Sequence, residues 1–452
     1  PRFRMPQYEA PIETRDATCS ANQKKTNNRI REGYSRPSVT HLSRLMALLP
    51  QRARCVIIGG GVIGASTAYH LSKLGWNDIH ILEQAAVTSG TTWHAAGLVG
   101  TTRNSAAETA LSLIGADLYG SLLEETGLDP GFKQCGSVNV ARTPERMEVL
   151  ARGAMKARAF GQEAHLLSAA ECGERMKGVI ATDDLVGGVW LPGDGSGSPT
   201  DLTMALLAGA KNRGVKVHEG VRVENFDIKI TNNGARRVHG VTLESGEAIE
   251  AEVVVVCAGQ WSRQLAAKAG VNAPLHSAEH FYVITDPIDA VTLDLPVCRD
   301  PDALIYFREW SGGLCVGGFE LDAKPVFGGK TGVPDDFAFG LLPDDWDQFM
   351  PLYEGAAERI PALEHTGIAT FLNGPESFTQ DGHYILGEAP TCDGLFVCAG
   401  MNSSGIASSG GAGYALAEWI DTGASSTDLW GVDIKRFVPD AASGNLDFLR
   451  GR

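Results

Sequence analysis

No apolar run in this 452-residue sequence approaches the roughly 20 residues that a bilayer-spanning helix requires. The most apolar stretches, around CVIIGGGVIG and EVVVVCAG, are short and end in glycine. They fit strands buried on both faces of a parallel sheet. Positive charge is scarce, with 39 Lys and Arg against 54 Asp and Glu and a net charge of −15. That balance argues against nucleic-acid binding and against docking on an anionic membrane. Metal-type cysteine spacing is also missing. The nine cysteines are scattered, with no CxxC or Cys/His cluster to suggest zinc. Cys55, Cys257 and Cys398 lie in apolar runs, as expected of buried free thiols in a reducing compartment. What is present is ordinary for a globular chain, 43% hydrophobic and 21% charged residues. Its length exceeds one simple core, so two consecutive or interleaved domains are expected.

Residues 1–45 differ from the rest. They carry nine Lys or Arg and four Asp or Glu, a net +5 that leaves −20 on the remainder. They are rich in Asn, Ser, Thr and Pro without apolar periodicity, the composition of a disordered or non-native tail. Met46 opens a short lead into a strand and is the expected biological start. A transit peptide is the competing reading, against which stand the four acids and the lack of an amphipathic helix.

Residues 54–83, RCVIIGGGVIGASTAYHLSKLGWNDIHILE, combine three signals. A strand over Cys55–Ile58 runs into Gly59, Gly61 and Gly64, and a helix from Val62 to about Leu74 follows, with Ala65, Ala68, Tyr69 and Leu71 on its apolar side. After Gly75, a second strand ends at Glu83, 19 residues beyond Gly64. Gly59 suits the tight turn, Gly61 the close approach of backbone to a pyrophosphate, and Gly64 the contact of helix with strand. The helix N-terminus offers N–H groups to phosphate, and Glu83 can accept from a ribose hydroxyl. This pattern indicates a dinucleotide but does not separate NAD from FAD.

The next segment, QAAVTSGTTWHAAGLVG (84–100), is dominated by small and hydroxyl residues. Ser89, Thr91 and Thr92 could donate to phosphate or ribityl oxygens, and Trp93 and His94 stand side by side. The segment resembles the flavin-binding loop of the D-amino acid oxidase superfamily, and the Trp–His pair is most similar to dimethylglycine and sarcosine dehydrogenases. The resemblance implies FAD, attached covalently through His94. It runs from about residue 54 to the C-terminus. It implies that Val223, in GVRVENF, meets the adenine through its backbone, and that the turn after EVVVVCAG, at Ala258, Gly259 and Trp261, passes close to the dinucleotide. An NAD-dependent dehydrogenase would explain residues 54–83 but neither the Trp93–His94 loop nor the last long helix.

That helix belongs to LFVCAGMNSSGIASSGGAGYALAEWI. A strand at Leu395–Ala399 leads through Gly400 and a polar turn to a helix expected from about Ser408 to Ile420. The resemblance points the helix N-terminus at the flavin pyrimidine edge, where negative charge gathers on reduction. Ile406 to Gly413 are the candidate contacts. The cofactor set is therefore Gly59, Gly61, Val62, Ile63, Gly64, Glu83, Gln84, Ser89, Gly90, Thr91, Thr92, Trp93, His94, Ala96, Gly97, Leu98, Val223, Ala258, Gly259, Trp261, Gly400, Ser404, Gly405 and Ile406.

On the substrate side, HSAEHFYVIT places His280 and Tyr282 on one strand face. ALIYFREWSGGLCVGGFE reads as a hairpin around Ser311–Gly313, with Tyr306 and Arg308 on one face. Arg308 is the candidate cation for a substrate carboxylate, since guanidinium binds carboxylate at two points. His280 is a candidate base or orienting group, and the tyrosines candidate pocket walls. Strand packing for the tyrosines, a core histidine and a solvated arginine are the structural alternatives.

The expected fold is α/β, a Rossmann-type FAD/NAD(P)-binding domain (50–105, 190–270, 371–425) interleaved with a mixed-sheet α+β substrate domain (106–189, 271–370). Residues 426–452 are expected to begin a linker toward a folate-binding region that the resemblance implies. The implied activity is oxidation of the CH–NH bond of a small N-methyl amino acid, dimethylglycine or sarcosine-like. Electrons would pass to oxygen, a quinone or an electron-transfer flavoprotein. The alternative is a non-catalytic regulatory flavoprotein of the pyruvate dehydrogenase phosphatase regulatory subunit type. The expected compartment is the cytoplasm, or the mitochondrial matrix for a eukaryotic source.

Overall fold

Alternating strand and helix signals near each end of the chain converge on one sheet. The computed structural model describes residues 49–103, 105–328 and 332–437. The first sheet has the order Ile385–Glu388, Leu395–Ala399, Ala248–Val256, Arg52–Ile58, Ile79–Glu83, Lys216–Glu219. All neighbours on this path run parallel except the first pair. In the central pair Val56 lies opposite Val254 and Ile58 opposite Val256. These continuous β-branched runs are buried on both faces, as parallel strands covered by helices must be. A ribbon of Val223–Ile230 and Arg236–Leu243 pairs antiparallel onto Ala248–Val256.

Three helices pack around Val62–Lys73: Pro199–Asn212 directly, Gly405–Thr422 directly, and Ala106–Thr126 through the other two. Two expectations change here. The last helix begins at Gly405 rather than near Ser408. Ala106–Thr126, expected in the substrate portion, sends Leu111, Leu118, Tyr119 and Leu122 into the core beneath the parallel sheet. The reason is the small-residue run SSGGAG. A Cβ on Gly410 would come within 2.5 Å of Gly115 Cα, and one on Gly411 would overlap the Leu111 carbonyl oxygen. Interiors have no slack for such overlap, so glycine there lets two helix backbones touch. Tyr119 bridges the contact, donating to Ile406 O at 2.6 Å and accepting from the Gly410 N–H at 3.0 Å.

The second sheet is mixed, in the order Ile368–Asn373, Phe281–Thr285, Gly313–Gly318, Ile305–Trp310, Val297–Asp300, Ser137–Ala141, Gly187–Leu191, His165–Leu167. Only Val297–Asp300 with Ser137–Ala141 is parallel within it. Strand Ile368–Asn373 thus belongs wholly to this sheet, across the boundary expected at 371. Its second core is separate, built on Phe281, Val283, Phe307 and Phe349. The interleaved mixed-sheet architecture is as expected. Residues 426–437 are no loose linker: Leu429, Val432 and Ile434 are buried, and Val432 O accepts from the Leu386 N–H at 2.8 Å. Residues 1–45, Met46 and 438–452 lie outside the described residues.

Candidate active site

At Gly59 the chain leaves the first strand with φ +112°, in the region that favours glycine. A Cβ on Gly64 would overlap the Gly59 carbonyl oxygen, so Gly64 serves helix–strand contact, as expected, and does not line the cleft described below. Glu83, 8% exposed, holds the turn from the next strand. Its Oε2 accepts the Gly60 N–H at 2.7 Å and its Oε1 the Ala85 N–H at 2.9 Å. Burial pushes its carboxyl up, against these bonds. Thr92 Oγ1 accepts the Val62 N–H at 3.1 Å, tying the 84–100 loop to the helix start.

The cleft that opens here, about 410 Å³, runs between the two sheets' contributions. Its wall holds Gly59, Gly61, Val62, Ile63, Glu83, Gln84, Ser89, Gly90, Thr91, Thr92, His94, Ala96, Gly97, Leu98, Val223, Ala258, Gly259, Trp261, Gly400, Gly405 and Ile406. Three expected contacts are elsewhere. Trp93 packs edge-on against Phe339 at 5.9 Å, Ser404 Oγ turns back to Met401 O at 2.6 Å, and Gly64 is spent on packing. Residues 408–413 also leave the cleft for the helix–helix contact. The turn before that helix instead brings in Asn402 and Ser403, both at positive φ (49° and 56°). Such strain in non-glycine residues clusters at ligand sites.

His94 is 4% exposed and packs on Gly374, where any Cβ would collide with its ring. Burial, and secondarily the charge of His280, lowers its pKa to about 4. The imidazole is therefore neutral at physiological pH, with a ring nitrogen lone pair available.

The second sheet supplies a row of directly opposed residues: Arg299 faces Tyr306, Tyr306 faces Gly317, and Gly317 faces Tyr282. Opposed residues share a sheet face, and Arg299, Tyr306 and Tyr282 all line the cleft. Gly317 makes room for the rings, since a Cβ there would come within 2.5 Å of the Tyr306 hydroxyl. Burial raises the pKa of both tyrosines, so both hydroxyls stay protonated. His280 Nε2 lies 3.4 Å from the Tyr306 hydroxyl and 3.4 Å from Ser403 Oγ.

Arg308 stands apart from this row. It sits one row further along the same face, opposite Cys315, and does not line the cleft. Its Nε donates to Ala96 O at 2.5 Å, its Nη1 to Glu309 O at 2.9 Å, and its guanidinium covers the Trp310 ring at 4.4 Å. A guanidinium with these partners braces the 96–97 loop. The cations on the cleft wall are others, among them Arg299 and Arg103. Burial lowers the pKa of Arg103 to about 10, which leaves it charged. Glu376, Arg299 and Arg103 were missed because no local pattern marks them. Glu376 lies inside the segment NGPESFTQDG, where its only signal is a charge after a Gly–Pro pair, at the start of a short strand.

The eight described cysteines are free, seven of them buried. Among the described residues no helix is long and apolar enough to cross a membrane.

Comparison with known proteins agrees with this geometry. A protein-family model described as FAD dependent oxidoreductase (DAO) matches residues 54–419. The pyruvate dehydrogenase phosphatase regulatory subunit of Mus musculus is 38% identical over 407 residues, 89% of this chain and 45% of that protein. Sarcosine dehydrogenase of Mus musculus is 40% identical over 394 residues, 86% of this chain and 42% of that protein. The chain thus spans less than half the length of these two relatives. The crystal structure of glycine oxidase from Geobacillus kaustophilus superposes with a TM-score of 0.71 at 27% identity, covering 86% of this chain and 100% of that one. With its glycine turn, its interleaved sheets and a matching model over most of its length, the chain belongs to the DAO family of FAD-dependent oxidoreductases.

Proposed function

We propose that the chain holds FAD along this cleft and oxidises the CH–NH bond of a small N-methyl amino acid of the dimethylglycine or sarcosine kind. One observation carries the reading: the glycine turn, the neutral His94 and Arg299, Tyr306 and Tyr282 of the second-sheet row line the same cleft. Its walls suit the cofactor. Gly61 caps the helix without a side chain, so bare backbone faces the position where a pyrophosphate gains from N–H groups and the helix dipole. Bound FAD supplies the two-electron acceptor.

The chain's own residues do the rest. Arg299 takes the substrate carboxylate, which is favoured by two-point geometry and by desolvation. The protonated Tyr282 and Tyr306 hydroxyls donate to substrate oxygen or nitrogen, and His280 orients Tyr306. Leu98 and Phe319 on the wall exclude water, which strengthens each polar contact. The neutral His94 ring is chemically able to bond the cofactor covalently. Yellow colour that stays with acid-precipitated protein, and is released in His94→Ala, is the expected sign of that bond.

Anaerobic mixing with dimethylglycine, sarcosine, glycine betaine and D-amino acids tests the activity. Bleaching by the first two is expected. The mitochondrial matrix is the compartment this reading implies for a eukaryotic source. A second reading, a non-catalytic regulatory flavoprotein, is favoured by the 38% identity to the phosphatase regulatory subunit. Protein that holds flavin yet is bleached by no amine would support it and exclude the first.

A further inference from the structure

Glu376 has no use in the scheme above, yet its position is costly. It lines the cleft at 7% exposure, and its Oε2 has no hydrogen-bond partner among the described residues. A buried carboxylate without a counterion is expensive unless a ligand provides one. Its strand, Glu376–Thr379, is held firmly. Glu376 pairs with Ala278, the Gly374 N–H donates to His280 O at 2.9 Å, and Gln260 Nε2 donates to Pro375 O at 2.9 Å. Its charge acts on Tyr282, Tyr306 and Glu320, and Glu320 Oε2 lies 4.0 Å from His280 Nδ1. After burial, the charge of Glu376 is among the influences that raise Tyr306, while Arg299 acts on the same hydroxyl in the opposite sense. Tyr306 therefore lies in the field of a cation and an anion that form no ion pair with each other.

A cation and an anion on the wall of one cleft suit a zwitterion. Resting on the amine-oxidising reading above, we propose that Glu376 receives the substrate's ammonium group and takes its proton, with Arg299 holding the carboxylate. The N–H bond breaks, its electron pair stays on nitrogen, and an O–H bond forms on Glu376. The free amine then has the lone pair that oxidation at the adjacent carbon requires. The cleft thereby selects zwitterionic amines over neutral amines and over carboxylates without an amine.

The test uses the flavin-loaded protein. The wild type is first mixed anaerobically with sarcosine and dimethylglycine; absence of bleaching defeats the parent reading before Glu376 is at issue. Given bleaching, Glu376→Gln is expected to keep the flavin band and to bleach about 100-fold more slowly at neutral pH, the usual scale for a lost base. Its rate should then climb tenfold per pH unit toward the substrate amine's own pKa. Two ligands that need no turnover complete the test through flavin spectral shifts. Glycine betaine, a zwitterion whose quaternary ammonium has no N–H, should bind at least tenfold more weakly to Glu376→Gln, and acetate as tightly or more so. Glu376→Asp should restore betaine binding in part. Wild-type bleaching and pH profile in Glu376→Gln, or unchanged betaine affinity, would overturn the proposal. So would loss of flavin from both variants, since the residue would then be structural.

Discussion

Arg308 and Arg299 lie on neighbouring strands, and removing each should produce opposite phenotypes. Arg308 donates two hydrogen bonds to backbone carbonyls, to Ala96 and Glu309, and covers the Trp310 ring. A hydrogen bond from a charged group contributes roughly 1.5–3 kcal/mol when buried. Arg308 is half-buried and solvent screens it, so the two bonds together are discounted to about 1.5 kcal/mol, with about 0.5 kcal/mol more from the ring. Arg308→Ala is therefore expected to cost about 2 kcal/mol of stability. At an unfolding entropy of roughly 2.1 cal/mol/K per residue, that is a fall of about 2–3 °C in Tm for a chain of this size. Michaelis constants for amino-acid substrates should hardly change. Arg299→Ala removes a guanidinium from the cleft itself and should raise KM for a carboxylate-bearing amine about 100-fold, or about 2.7 kcal/mol, with flavin retained. Thermal unfolding and steady-state kinetics on both variants separate the two roles. A large KM increase in Arg308→Ala with unchanged Tm, together with the reverse in Arg299→Ala, would refute this assignment.

Gly64→Ala should prevent the helix from reaching the first strand, and purified variant is expected colourless or weakly loaded; normal flavin content would contradict the packing argument. Gly317→Ala forces the Tyr306 ring from its place and should cost about 1–3 kcal/mol as well as slow amine-dependent bleaching; activity equal to wild type would show that the row tolerates a methyl group. His70 is buried between helices, and its pKa is lowered, first by burial, to about 4. Unfolding therefore takes up a proton between the ordinary histidine value and about pH 4, and stability falls with acid by about 1.4 kcal/mol per pH unit in that window. Urea midpoints at pH 7 and pH 5 should show a smaller pH dependence in His70→Gln, and an identical one would exclude His70 as the source. Gly411→Ala, placed against the Leu111 carbonyl, should destabilise the protein without touching the cleft, so any variant that folds should bind flavin normally.

The dinucleotide end was legible in the sequence because its determinants are local. A glycine turn, the strand before it and an acid 19 residues on are fixed by backbone geometry within one β–α–β unit, and Glu83 holds the Gly60 amide as that geometry requires. The loop with Trp93 and His94 was likewise readable, although which of the two side chains faces the cleft was not. The last helix misled for a physical reason. Small residues at a helix start read equally as a ligand-facing turn or as a helix–helix contact, and only the arrival of Gly115 against Gly410 decides between them.

The second-sheet side of the cleft was settled by strand pairing. Period-two alternation put Tyr306 and Arg308 on one face correctly, but a face is longer than a cleft. Register placed Tyr306 within the cleft and Arg308 one row beyond it, and brought Arg299 and Gly317 from other strands beside Tyr306. Sequence alone thus determined the chain's charge, its buried parallel strands and its dinucleotide turn, which depend on neighbours in the chain. Tertiary structure alone decided which residues share the cleft, because Arg299 and Tyr306 come from adjacent strands of the second sheet while Glu376 comes from a separate small sheet, paired with Ala278, so no local pattern joins it to them.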